Sequence, residues 1–180
     1  MITSTTTLVP DNPAAAYAAY RQAASAVFLA GTQGLKYKKD HYDLAVDLSK
    51  AGMQYIEERE DDIVIGAMTP LWQIKISPVI QEFAGGAISK AISDVADKNV
   101  QRYGTLGGVI SGKAPFSVLL PILLSLHVDV QLQDKGCMSL DDYLHCPPMG
   151  ELVTGISIAK EAVYTAYKAY RKLPADEPYL

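Results

Sequence analysis

The sequence predicts a mixed α+β fold built as two lobes, and three observations carry that prediction. The first 48 residues alternate strand-like and helix-like segments in a β–α–β order. An acidic turn, Arg59-Glu60-Asp61-Asp62, is then flanked by two apolar runs that read as a hairpin opening a second lobe. A glycine-rich run, Gly104-Thr105-Leu106-Gly107-Gly108, finally interrupts a long region of helical periodicity.

In chain order, Thr5 to Val9 reads as a short strand, and Asp11-Asn12-Pro13 supplies a cap and a first-turn proline for an alanine-rich helix to about Ala23. Ala26 to Leu29 is a buried-strand run, and Leu44 to Leu48 is another. The lobe boundary falls near residue 55, giving lobes of residues 1–55 and 56–180. Gln54 to Glu58 and Ile63 to Ala67 form the hairpin. Thr69-Pro70 caps and starts one helix and Ser77-Pro78 a second, while Gly85-Gly86 breaks the pattern. Ala87 to Ala96 has helical spacing and delivers the chain through Val100-Gln101-Arg102-Tyr103 to the glycine run. Phe116 to Leu126 reads as a buried helix and Val128 to Leu132 as a half-exposed strand. A turn at Asp134-Lys135-Gly136, a capped helical turn at Ser139-Leu140-Asp141-Asp142, and a strand from Glu151 to Ile158 complete the pass.

Composition narrows the function classes. The chain has 180 residues, 49% of them hydrophobic, which is ample for a core. Sixteen Lys and Arg against twenty Asp and Glu give a net charge of −4 without a basic stripe, so nucleic acid is not an expected partner. The start, Met-Ile-Thr-Ser-Thr-Thr-Thr, lacks the pattern of a signal peptide, and no apolar run reaches the roughly eighteen residues of a membrane span. A cytoplasmic protein with no membrane partner is the expectation. Cys137 and Cys146 are the only cysteines, eight residues apart, whereas an iron–sulfur cluster takes four thiolates; no metal is assigned. His145 beside Cys146 precedes Pro147-Pro148 and reads as loop, and His127 reads as a core histidine. No Ser-His-Asp set or carboxylate pair stands out, so no catalytic side chain is assigned.

Two small-residue segments suggest anion binding. Three glycines in Gly104 to Gly108 leave backbone amides without side-chain cover, as a loop against a phosphate requires. Ala30-Gly31-Thr32-Gln33-Gly34 follows a strand in the same manner. Taken alone, each segment is equally a plain turn. Gly107 to Lys113 approaches the phosphate loop of nucleotide triphosphatases, but Ala114 offers no hydroxyl to magnesium and Pro115 stands where the helix should start. Lys113 reads as a solvated loop lysine, with a phosphate contact as the alternative. Trp72, Tyr164, Tyr167 and Tyr170 read as core or subunit contacts.

The order of parts is a small-residue loop after a strand, Ile65-Gly66-Ala67-Met68-Thr69, the glycine run, the apolar helix, and Ser139 to Leu144. It resembles the FAD-binding subunit of the molybdenum hydroxylases, the family of xanthine dehydrogenase and carbon monoxide dehydrogenase. The resemblance implies the FAD-binding fold of the p-cresol methylhydroxylase and vanillyl-alcohol oxidase type, with FAD in a crevice between two α/β lobes. By this resemblance Leu29, Ala30, Gly31, Thr32, Gln33, Gly34 and Leu35 wrap the diphosphate. Thr105, Leu106, Gly107, Gly108 and Val109 contact phosphate or ribose, and Lys168 stands near the isoalloxazine. It further implies molybdopterin and [2Fe–2S] clusters on partner chains, with NAD or another final acceptor, and a flavoprotein oxidoreductase subunit that does not itself hydroxylate substrate.

The chain departs from the family pattern at several places. The first loop lacks one glycine, so that either a residue is missing or Thr32 occupies a glycine position. Val109 and Val118 stand where the family has asparagine and aspartate, and Gln101-Arg102 replaces Arg-Asn before the glycine run. The sequence ends at Pro178-Tyr179-Leu180, where the family commonly continues into a C-terminal domain, so that domain is not expected within these residues. The alternative these departures favour is an assembly subunit of the same complex that has lost flavin.

Overall fold

A computed structural model describes residues 2–35, 39–95, 98–113, 117–161 and 165–170. Two sheets organise the chain. The first is parallel and three-stranded: β1 (Thr3–Leu8), β3 (His41–Asp47) and β2 (Ala26–Leu29) lie in the order β1-β3-β2. Helix α1 (Pro13–Gln22) joins β1 to β2. As predicted, Asn12 caps it, the side chain accepting from the Ala15 amide at 2.8 Å, and Pro13 takes the first turn, where no donor is needed. Strand β3 starts three residues before the predicted Leu44. Its outer half pairs with β1 through alternating polar residues, a pattern that lacks the apolar run used to find the strand.

The second sheet is antiparallel, β4-β5-β8-β6-β7, from β4 (Ile56–Glu58), β5 (Asp62–Gly66), β6 (Val128–Leu132), β7 (Gly136–Ser139) and β8 (Val153–Ala159). The predicted hairpin β4–β5 forms, and the turn predicted at Asp134-Lys135-Gly136 leads into a strand the sequence reading did not include, β7, which pairs back on β6. Val128, Val130 and Leu132 of β6 and Ile156 and Ile158 of the central β8 turn inward. They pack under α2 (Leu71–Ile76), α4 (Ala87–Ser93), α6 (Leu106–Gly112) and α7 (Leu119–Leu124). The remaining helices are α3 (Pro78–Glu82), α5 (Lys98–Tyr103) and α8 (Leu140–His145). Ser139 caps α8 as predicted, accepting from the Asp142 amide at 3.0 Å.

Several local expectations are corrected. Thr69 does not cap α2. Pro70 holds the cap position, and the Thr69 hydroxyl turns instead to the backbone of Tyr55. The predicted helices at 87–96 and 116–126 are shorter, Ala87–Ser93 and Leu119–Leu124; Ala96 and Phe116 lie outside the described residues. His127 is exposed and paired with Glu161 at 2.8 Å, because it sits past the end of α7 and its strand neighbour Val128 takes the inward place. Of the residues read as core or subunit contacts, Trp72 and Tyr170 are exposed in this chain and so lie outside its core, Tyr167 packs on the main core as expected, and Tyr164 lies outside the described residues.

A second, smaller apolar cluster joins the two sheets. Ala16, Val46, Leu48, Ala51 and Met53 meet Leu152, with Tyr20 stacked on Phe28 at 4.2 Å between ring centres. At its edge the Tyr17 hydroxyl donates to Glu151 at 2.7 Å, which pushes the phenol pKa above its ordinary value. The other oxygen of Glu151 accepts from the Asp134 amide at 3.3 Å.

Candidate functional site

A cleft of about 340 Å³ opens where the two small-residue segments meet. Residues at the C-terminal ends of parallel strands form one wall: Ala30 to Gln33 follow β2, and Ser49 follows β3. Such strand ends are where open α/β sheets bind ligands, since the chain turns away there and exposes backbone polar groups. Arg102, Tyr103 and Thr105, at the end of α5 and just beyond, form the facing wall, and Gln54, Met68 and Pro70 lie between.

The walls touch at Gly31. A Cβ at that position would overlap the carbonyl oxygen of Tyr103, so only glycine lets the first loop approach the end of α5. Thr32 follows with φ of 54°, the left-handed region that a β-branched residue rarely adopts. The structure therefore places a threonine in glycine geometry. Strain of about 1–2 kcal/mol per such residue exceeds the extra unfolded-state entropy of glycine, about 0.5–1 kcal/mol. Thr32→Gly is thus expected to stabilise the chain by about 1 kcal/mol in urea unfolding; an unchanged midpoint would count against strain here.

The glycine run is built differently from the bare loop the sequence suggests. Leu106 to Gly112 are helical, with Thr105 as the cap of α6 and its hydroxyl facing the Gly108 amide at 3.3 Å. The Gly104 amide donates to Val100 at 2.8 Å, that of Leu106 to Thr69 at 3.1 Å and that of Gly107 to Ala67 at 2.8 Å. Four of the five amides are therefore consumed inside the fold. Only that of Thr105 makes no hydrogen bond among the described residues, and Thr105 lines the cleft. Gly107 serves packing, since a Cβ there would stand 2.8 Å from the Cβ of Ala67.

Of the predicted site residues, the cleft gathers Ala30, Gly31, Thr32, Gln33 and Thr105. Leu29 ends β2 opposite Asp47. Gly34 and Leu35 lie beyond the lining. Leu106, Gly107, Gly108 and Val109 form the first turns of α6, with Leu106 buried and Val109 packed on the core. Lys168 is exposed, its ammonium 5.0 Å from the centre of the Tyr170 ring. Val118 is buried and Val109 packs partly buried on the main core, and neither is among the cleft-lining residues described.

Lys113 is half-buried rather than a solvated loop lysine. It ends α6 with φ of 46°, and its ammonium donates to the carbonyls of Tyr143 and Leu144 at 3.2 and 2.8 Å, satisfying the end of α8. With residues 107–112 helical, the nucleotide triphosphatase reading fails. Ala114 and Pro115 lie outside the described residues.

Sequence reasoning missed Ser49, Gln54 and Tyr103 as lining residues, and Arg102 as more than a departure from a motif. Position at a strand or helix end beside a small-residue loop was the available signal. Among the described residues, Arg102 is the only charged one of the lining. A cleft whose described lining holds a guanidinium, an amide with no partner among the described residues and no carboxylate fits an anionic cofactor group such as the diphosphate of FAD.

Comparison with known proteins agrees. Residues 3–160 match the family model described as the FAD binding domain in molybdopterin dehydrogenase. The protein YgfM of Escherichia coli strain K12 is 29% identical over 124 residues, 68% of this chain. The chain spans about half the length of the curated relatives it matches, 46% in that case. Among solved structures, quinoline 2-oxidoreductase from Pseudomonas putida 86 superposes with a TM-score of 0.86 at 18% identity, over 99% of this chain and 65% of that one. The Cu,Mo-CO dehydrogenase in its cyanide-inactivated form gives 0.85 at 23% identity, over 99% and 68%. Carbon monoxide dehydrogenase from Hydrogenophaga pseudoflava gives 0.83 at 22%, over 96% and 65%. The α+β arrangement of parallel and antiparallel sheets is thus the fold of these oxidoreductase chains, and the chain belongs to the family of FAD-binding domains of the molybdopterin dehydrogenases.

Proposed function

We propose that this chain is the electron-transfer flavoprotein subunit of a molybdopterin-dependent hydroxylase or dehydrogenase complex. Electrons would arrive from [2Fe–2S] clusters on a partner chain, pass through FAD held here, and leave to NAD or another acceptor. The observation that carries the reading is the cleft at the meeting of the two small-residue segments, lined by Arg102 and by Thr105, whose amide makes no hydrogen bond among the described residues. The regions around the two sheets, residues 1–55 and 56–180, would act as the lobes that hold the cofactor between them. Two cysteines cannot ligate a cluster that takes four thiolates, which supports placing the clusters on a partner.

FAD, when bound, supplies the redox step that links one-electron donors to a two-electron acceptor. The task of this chain is to bind and orient. The Ala30 to Gln33 backbone and the Thr105 amide would hold the diphosphate, and Gly31 sets the distance between those walls.

Titration of the full chain with FAD, followed by quenching of flavin fluorescence, is expected to reach one FAD per chain. Absence of uptake, both in the isolated chain and in a complex purified with its partner subunits, would overturn the proposal. That result would leave the assembly-only reading.

A further inference from the structure

Arg102 is an exposed cation at the edge of the cleft. It lies in the last turn of α5, lines the cleft and makes no ion pair among the described residues. The backbone that carries it is fixed. Neighbouring Gln101 is buried, with its amide donating to the Val95 carbonyl at 2.6 Å, and the Gly104 carbonyl accepts from the Leu71 amide at 2.9 Å. Most amides of the glycine run are consumed internally, so a side-chain donor there adds what the backbone does not offer.

We infer that Arg102 is a diphosphate-binding residue that sets the affinity of the site for FAD, an inference that rests on the reading of the cleft as the FAD site. A guanidinium presents paired donors that match the oxygens of a phosphate, and among the described residues the lining holds no carboxylate to compete for them. Its charge also complements a diphosphate before contact, so affinity falls as salt screens the pair.

The test is FAD titration of the full chain and of R102Q and R102K, each at low and high ionic strength, with circular dichroism to verify folding. R102Q is expected to weaken FAD binding about tenfold or more at low salt. The gap should narrow at high salt, and R102K should restore part of the loss. Unchanged affinity in R102Q would overturn the inference while leaving the FAD site standing. A loss that salt does not change and lysine does not restore would also overturn it, since that pattern marks a packing role. A wild-type chain that takes up no FAD would overturn both the inference and the site.

Discussion

The Gly31→Ala variant is expected to lose FAD affinity on the order of a hundredfold. Its added methyl group would overlap the Tyr103 carbonyl oxygen and stand 3.0 Å from the Cα of Gly104. Both obstacles are backbone, so no rotamer change relieves them. Either the Ala30 to Gln33 loop or the end of α5 must retreat, and these are the two walls of the cleft. Overpacking of this kind destabilises by about 1–3 kcal/mol. Retreat also separates donors that must act together. Losing two hydrogen bonds to a charged group, each worth about 1.5 kcal/mol, corresponds to about a hundredfold in affinity. Gly34→Ala is the internal control, because a Cβ there meets nothing within 4 Å. Fluorescence titration of both variants decides the matter, and wild-type affinity in Gly31→Ala would disprove the contact between the walls.

Much of the fold was legible because its signals are local. Asn12-Pro13 starts α1 and Ser139 with Asp142 caps α8, each through groups within a few residues of one another. The alternation from Val128 to Leu132 reports one buried face of a sheet. Illegible features depend on partners distant in sequence. Glycine provides either an uncovered amide or room for a close neighbour, and the chain does not say which. Gly107 turned out to be the second case, because Ala67 stands against it. Gly31 was read as an anion-binding residue, yet its visible role is to admit Tyr103. Lys113 read as a solvated loop lysine, yet its ammonium is held by the carbonyl end of α8, thirty residues on. The family resemblance located the cleft from the order of motifs. It did not identify Arg102, whose importance lies in facing a loop some seventy residues earlier.

Thr69→Val should lower stability by about 2–3 kcal/mol although it changes almost no volume. Thr69 is fully buried, and its hydroxyl accepts from the Tyr55 amide at 3.1 Å and donates to the Tyr55 carbonyl at 2.9 Å. That carbonyl keeps the Gly66 amide as a partner at 3.0 Å, whereas the Tyr55 amide would be left unsatisfied. An orphaned donor costs about 1–3 kcal/mol and the second lost bond about 1 kcal/mol. Thr69→Ser keeps the hydroxyl and should lose only about 1 kcal/mol for the missing methyl. Urea unfolding of the three proteins tests the assignment, and a Thr69→Val midpoint equal to wild type would refute it. The effect should extend to the cofactor. The Thr69 carbonyl accepts from the Leu106 amide, and the neighbouring Pro70 bridges to Thr105 in the wall of the cleft. A ligand bound only by the folded chain stabilises it by mass action. Saturating FAD should therefore raise the unfolding midpoint of Thr69→Val less than that of wild type, because the wall that binds it is loosened.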